Sequence, residues 1–177
     1  MKITILRLGH RLPRDERITT HVGLVARAFG AEEIIYAGQH DSSFEESVKR
    51  ISGSWGGAFA AKYTEKPANL VREFKKKGYS VAHLTMYGIP LPEKADEMRK
   101  AEKLLVIVGA EQVPSEFYEL ADFNISVTSQ PHSEVAALAI TLDRLMEGKE
   151  LERGFSEKFE GKISLEPNER GKSVRKR

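Results

Sequence analysis

The stretch from Lys103 to Met146 constrains the fold most, because its two apolar periodicities alternate in an order few architectures accept. Leu104–Val108 is a short run of Leu, Val and Ile, a buried strand, and it ends at Gly109-Ala-Glu-Gln-Val-Pro114. A helix of one or two turns follows, then a second strand over Asn124–Thr128, then the polar turn Thr128-Ser-Gln-Pro-His-Ser133. The segment closes with a helix over Val135–Met146 that is apolar almost all the way round. Strand–helix–strand–helix order, with each strand feeding a polar turn, predicts an α/β fold with a mostly parallel sheet. A helix apolar on more than one face must be covered on more than one side, so a subunit interface is expected at Val135–Met146.

The rest of the chain repeats the pattern. Ile3–Leu8 reads as a buried strand, and Gly9–Thr20, rich in Arg, Gly and Pro, as a long polar loop. A helix is expected from about Thr20 to Phe29, with Val22, Val25, Ala26 and Phe29 on one face and Gly30 ending it. Ile34–Tyr36 is a second strand. Ser42-Ser-Phe-Glu45 has the capping-box spacing and opens a helix closed by Gly53–Gly57, and Ala58–Tyr63 is a further strand. Pro67 stands where a first helical turn tolerates it, and Lys75–Lys77 before Gly78 suits a helix C-terminus. Ser80–Thr85 is a strand running into the Gly- and Pro-containing turn Met86–Pro92, and a polar helix lies near Glu93–Ala101. From Gly148 the composition shifts to Lys, Glu, Gly and Ser, which predicts a main domain over 1–150 and an extension over 151–177 with a hairpin around Gly161 and a basic tail.

The 177 residues allow one domain with a real core. No apolar run approaches the length of a membrane span and no leader-like start is seen, so no membrane association and a cytoplasmic location are expected. The absence of cysteine removes disulfides, zinc ribbons and thiol nucleophiles. Five histidines show no ligand spacing, so no metal is expected. Neither G-x-G-x-x-G nor G-x-x-x-x-G-K-[ST] occurs, which excludes the usual nucleotide-phosphate fingerprints, and there is no G-x-S-x-G elbow. Charge is uneven despite a net +2: Arg7, Arg11, Arg14 and Arg17 cluster near one end, and Arg170–Arg177 carries five basic residues and no acid. Two readings stay open, a polyanion touched at two places and a solvated arm with a frayed tail.

Three turns, Leu84–Gly88, Gly109–Pro114 and Thr128–Ser133, follow three successive strands. In a parallel sheet they would meet at the carboxyl edge, where ligands collect, and glycine and proline there let backbone groups reach a heterocycle such as adenine. Read from the residues alone, three ordinary strand–helix turns remain the alternative.

The chain is similar to a known family through several motifs. These are Leu6-Arg-Leu-Gly-His-Arg11 with Arg14-Asp15, Thr19-Thr-His-Val-Gly23, His83-Leu-Thr-Met-Tyr-Gly88, Val108-Gly-Ala-Glu111 with Val113-Pro114, and Gln130-Pro-His-Ser-Glu-Val-Ala-Ala-Leu-Ala139. Together they resemble the SpoU-type branch of the SPOUT methyltransferases, and within it the archaeal tRNA cytidine-56 2′-O-methyltransferases. The resemblance reaches to about residue 150. It implies a Rossmann-like sheet with a C-terminal trefoil knot, S-adenosyl-L-methionine as methyl donor, a tRNA ribose 2′-hydroxyl as acceptor, and a homodimer formed through the knot region. It further implies that Leu84, Gly109, Ala110, Glu111, Gln112, Val113, Val127, Thr128, Ser129, Gln130, Pro131, His132, Ser133 and Glu134 surround the cofactor. The wider pattern, Asn-x-Gly followed by an arginine, becomes His21-Val-Gly23 followed by Arg27, with His21 in place of the asparagine. On that match Arg27 is expected to orient phosphate or hydroxyl and stabilise charge, and His21, an imidazole, to take the hydroxyl proton. Arg7, Arg11, Arg14 and Arg17 are the expected RNA-backbone contacts. The alternatives are a methyltransferase of this fold with another RNA target, a non-catalytic RNA-binding module, and a nucleotide-binding enzyme of different chemistry.

Overall fold

A computed structural model describes residues 1–109, 112–152, 155 and 159–176. Its frame is a six-stranded sheet in the order β3-β2-β1-β5-β4-β6, every neighbouring pair parallel. The strands are β1 (Lys2–His10), β2 (Glu33–Gly38), β3 (Ala60–Tyr63), β4 (Ser80–Pro90), β5 (Lys103–Val108) and β6 (Phe123–Ser126). The helices are α1 (Glu16–Ala28), α2 (Ser42–Trp55), α3 (Pro67–Lys76), α4 (Leu91–Met98), α5 (Ser115–Leu120) and α6 (Glu134–Met146), and an antiparallel pair β7 (Ile163–Glu166) and β8 (Ser173–Lys176) ends the chain. The α/β fold with a mostly parallel sheet is therefore the one the alternation predicts.

Period-two alternation sorts the strand side chains onto two cores. Ile3, Ile5, Ile34, Val106 and Ile125 face α1, α2, α4 and α6, whereas Leu6, Leu8, Ile35, Leu105 and Ile107 face α3 and α5. Central strands covered on both sides must be apolar on both sides, which is why β5 reads as an unbroken run of Leu, Val and Ile.

Several boundaries differ from expectation for physical reasons. α1 begins at Glu16, not Thr20. Thr19 and Thr20 are interior helical residues: the Thr19 hydroxyl meets His10 Nδ1 at 2.8 Å, and that of Thr20 donates to the Glu16 carbonyl. α2 is capped by Asp41, whose carboxylate accepts from the Phe44 N–H at 3.1 Å, so Ser42 is its first helical residue rather than its cap. β4 does not stop at Thr85. It continues through Gly88 to Pro90, beside β6, with a register shift between Leu84 and Ile89 that lets both face Ile125. Gly88 is required there, because a Cβ at this position would lie 2.5 Å from the Asn124 carbonyl oxygen and the Ile125 nitrogen. The C-terminal hairpin turns over residues 167–172 rather than at Gly161, and the expected basic tail is largely strand β8, with Arg175 paired to Glu166. Gly161 instead allows a close approach, since a Cβ on it would sit 2.3 Å from the Trp55 carbonyl carbon.

α6 buries Ala137, Leu138, Thr141, Leu142 and Leu145, while Ile140 on its other side is 45% exposed. On α1, which packs against α6, Leu24 is 38% exposed. The second apolar face anticipated for this helix thus has no cover among the described residues.

Gly88→Ala forces a methyl group into the β6 backbone. It is expected to destabilise the fold by about 1–3 kcal/mol, read as a lower urea midpoint with an unchanged slope.

Candidate functional site

The carboxyl ends of β1, β4, β5 and β6 open onto one cleft of about 580 Å³, within the range of small-molecule sites. Its walls are the three stretches singled out in the sequence, of which Leu84–Gly88 is strand β4 rather than a turn. Leu84, Thr85, Met86 and Tyr87 come from β4, Gly109 and Val113 from the turn after β5, and Val127, Gln130, Pro131, His132 and Glu134 from the turn after β6 and the start of α6. Arg11, Arg14, Asp15 and Ile18 close it from the loop after β1 and the first turn of α1. Of the expected cofactor contacts, Gln112, Thr128, Ser129 and Ser133 are not wall residues. Ser133 caps α6 by accepting from the Val135 N–H at 3.2 Å, and the Thr128 hydroxyl accepts from the Gln130 N–H at 3.3 Å. Ala110 and Glu111 lie outside the described residues.

The four arginines have separate fates. Arg7 is wholly buried, a departure from its expected role on RNA. Alternation along β1 turns it toward α6, where Nη2 pairs with Glu134 Oε1 at 2.9 Å and Nη1 donates to the Leu8 carbonyl at 2.7 Å. Burial pulls its pKa down, and Glu134 and Asp15 oppose that pull. Arg11 and Arg14 do reach the cleft. Arg11 donates Nε–H to Asp15 at 2.8 Å, and that carboxyl, although burial alone would raise its pKa, is held below the ordinary value chiefly by the Arg11 hydrogen bond and charge. Arg17 is exposed on the first turn of α1, outside the cleft.

The two residues matched to the catalytic pattern are not brought to this cleft. His21 is exposed midway along α1. Within one chain α1 runs away from the carboxyl edge, and Arg27 sits in its last turn, about 17 Å along the axis from Glu16. There its Nη2 donates to the Gly56 carbonyl at 2.6 Å, and its guanidinium lies 4.9 Å from the centre of the Phe159 ring. Burial lowers its pKa. Arg27 fastens the C-terminal extension to α1 and α2.

Sequence reasoning missed the inner wall. His83 is buried beneath the cleft, packed edge-on to Tyr118 at 4.6 Å. Asn124 Nδ2 donates to the Tyr118 carbonyl, so its Oδ1 is the acceptor and His83 Nδ1 must carry the proton. Burial depresses the His83 pKa, with Asn124 opposing, and the ring stays neutral. Alternation was the available signal, because a histidine beside Leu84 on a strand buried on both faces has to meet the opposite helix layer. His132, at the rim, donates Nδ1–H to the Ser133 carbonyl at 3.1 Å, which leaves Nε2 with an unshared pair.

Beside the cleft, a glycine bulge at Gly9 (φ +74°) decouples the end of β1 from its register and swings His10 to α1 and α2. His10 Nδ1 meets the Thr19 hydroxyl at 2.8 Å and Nε2 lies 3.3 Å from Asp41. This clamp holds the base of the loop bearing Arg11 and Arg14. Among the described residues no group of three His, Cys, Asp or Glu is placed to hold a metal ion, and no helix is long and apolar enough to cross a membrane.

Residues 55–175 match the family model described as "tRNA ribose 2′-O-methyltransferase, aTrm56". The chain belongs to that family. It is 53% identical over 174 residues to the tRNA (cytidine(56)-2′-O)-methyltransferase of Archaeoglobus fulgidus, covering 98% of each chain. It is 52% identical to that of Methanocaldococcus jannaschii, covering 98% of this chain and 96% of the relative. The fold of this aTrm56-family member matches the Aquifex aeolicus chain described as "A. aeolicus TrmH/SpoU tRNA modifying enzyme", with a TM-score of 0.64 at 14% identity over 88% of this chain and 79% of that one. It also matches an AdoMet-bound rRNA methyltransferase from Sinorhizobium meliloti, TM-score 0.64 at 19% identity, over 84% of this chain and 57% of that one. The fold is thus that of the SpoU/TrmH methyltransferases.

Two outcomes test this geometry. Glu134→Ala strands the Arg7 charge and is expected to cost about 3 kcal/mol, whereas Arg7→Met removes charge and partner demand together and costs less, both read by urea melts. Burial alone would raise the Asp41 pKa, but the Ser43 hydroxyl, the Phe44 N–H and His10 bring it below the ordinary 3.8. The stability it contributes is therefore full above about pH 4 and lost as pH falls through the folded value. Asp41→Asn keeps the helix cap and should flatten that part of the acid limb in a stability–pH series.

Proposed function

We propose that the protein transfers the methyl group of S-adenosyl-L-methionine to the ribose 2′-hydroxyl of cytidine 56 in tRNA. The observation that carries this reading is a cleft bounded on one side by β4 and the turns after β5 and β6 and on the other by Arg11 and Arg14, in a chain of the aTrm56 family. Its volume suits a nucleoside-sized cofactor. The two carboxylates among its described walls, Asp15 and Glu134, are paired with Arg11 and Arg7. Leu84, Gly109, Val113, Val127, Gln130, Pro131, His132 and Glu134 would hold the cofactor, with Ala110, Glu111, Gln112, Thr128, Ser129 and Ser133 in the same turns. When bound, the sulfonium supplies an electrophilic methyl carbon.

The chain's own residues then have three tasks. The turns fix the donor so that a hydroxyl approaches in line with the breaking bond. Arg14, with Arg11 braced by Asp15, binds the flanking phosphate and stabilises the oxygen as it loses its proton. His132 Nε2, with an unshared pair at the rim, is placed to accept that proton. His21 and Arg17, exposed on α1, are assigned to the RNA rather than to the chemistry, and Arg27 to holding the extension in place.

The working form we propose is a homodimer that covers the exposed apolar face of α6 and α1, on which Ile140 and Leu24 lie. A trefoil knot accompanies this reading, supported by the close passage of β4 at Gly88 against β6. A tRNA substrate implies a cytoplasmic site of action.

Labelled S-adenosyl-L-methionine incubated with unmodified tRNA transcript should give label at the ribose of position 56, mapped by nuclease digestion. Label on another nucleotide moves the target, and tight cofactor binding without transfer to any RNA sinks the reaction. Arg14→Ala is expected to lower kcat about a hundredfold with cofactor affinity intact. His132→Ala is likewise expected to lower kcat about a hundredfold, a loss that His21→Ala does not produce.

A further inference from the structure

Tyr87 stands on the rim of the cleft with 79% of its surface exposed, the highest value among the large hydrophobic side chains described. An exposed aromatic is ordinarily unremarkable, but the backbone that carries this one is braced on both sides. Two residues back, the Thr85 hydroxyl accepts from the Tyr87 N–H at 3.4 Å and meets the Tyr118 hydroxyl at 3.1 Å. One residue on, Gly88 is pressed against the backbone of Asn124 and Ile125. The other cleft tyrosine is committed, since Tyr118 spends its hydroxyl on Thr85 and its ring edge-on to His83. Tyr87 therefore presents an uncommitted, exposed π face beside a cavity whose other rim carries Arg11 and Arg14.

We propose that Tyr87 is the stacking platform for the base of the nucleotide whose ribose enters the cleft, and so sets affinity for the RNA rather than for the methyl donor. This rests on an RNA substrate at this cleft, as proposed above. A base laid on the ring leaves its ribose toward the cavity and its phosphates toward the arginines, a division of π face and cations found where proteins hold single-stranded nucleotides. The low rotamer freedom of tyrosine, reduced here by the braced backbone, limits the ordering cost of such a contact. Its exposure at the mouth argues against the cofactor's adenine as the occupant, because that ring would need the enclosed inner wall.

The test is a binding cycle. Unmodified tRNA transcript, and the same transcript with an abasic ribose at the target position, are titrated against the wild-type chain, Tyr87→Phe, Tyr87→Leu and Tyr87→Ala. Tyr87→Ala and Tyr87→Leu are expected to weaken the intact transcript about ten- to a hundredfold and the abasic one less than about twofold, with Tyr87→Phe close to wild type. Affinity for S-adenosyl-L-methionine and the mass in solution should not change. Equal losses on both transcripts, a parallel loss of cofactor affinity, a changed mass (the ring then serving a second copy of the chain), or no RNA binding by the wild type each overturn the assignment. Wild-type protein that binds both transcripts yet transfers no methyl group would remove the proposed reaction, while the cycle still decides the role of Tyr87.

Discussion

A guanidinium buried in the middle of a parallel sheet is among the most expensive groups a small protein can carry, with an effective desolvation penalty of several kcal/mol. Arg7 is such a group, fully enclosed between β2 and β5, and much of the arrangement around the cleft follows from the need to satisfy it. Its charge is met by Glu134 at the first turn of α6, a position that also favours a carboxylate through the helix dipole. Meeting it places the start of α6 over β1 and draws the preceding turn across the ends of β4 and β6. The cleft wall made by Gln130, Pro131 and His132 is thus held from below by a charge pair that contributes little net stability but is costly to break.

The polar groups lining the site show a related economy. His83, Asn124, Tyr118 and Thr85 form a chain of hydrogen bonds and ring contacts beneath the cleft. The Asn124 amide fixes the tautomer of His83, and burial suppresses its charge. A neutral floor leaves the positive charge of the site to the rim, where Arg11 and Arg14 meet solvent.

Much of this was legible in the residues. The alternation of strand and helix patterns, Pro67 opening α3, the all-round apolar α6 and the three carboxyl-edge turns each correspond to an element or wall in the structure. What was not legible depended on partners far away in sequence. The spacing of Arg11 and Asp15 belongs to the approach to α1, but amid Pro and Gly it reads as loop. The continuation of β4 beyond Thr85 is decided by β6, some forty residues later. Charge alone does not reveal burial, so neither the enclosure of Arg7 in the sheet nor the contact of Arg27 with the extension can be read from it. Gly161 signals a turn in sequence, whereas its missing side chain serves a backbone contact with Trp55.

The attachment of the extension has a mechanical consequence. The change in composition after Gly148 resembles a place where one unit stops, yet the contacts cross it freely. Phe155 packs over Gly30, Phe159 accepts the Gly57 N–H and lies against Arg27, and Gly56 bridges to Glu160. The contacts at Gly30 and Arg27 fasten the far end of α1, the helix whose first turn borders the cleft, and those at Gly56 and Gly57 fasten the end of α2. A load applied at the C terminus would therefore be borne by Arg27 and passed along α1 as along a strut. A chain cut after residue 150 would keep every wall of the cleft and lose the brace beneath one of them.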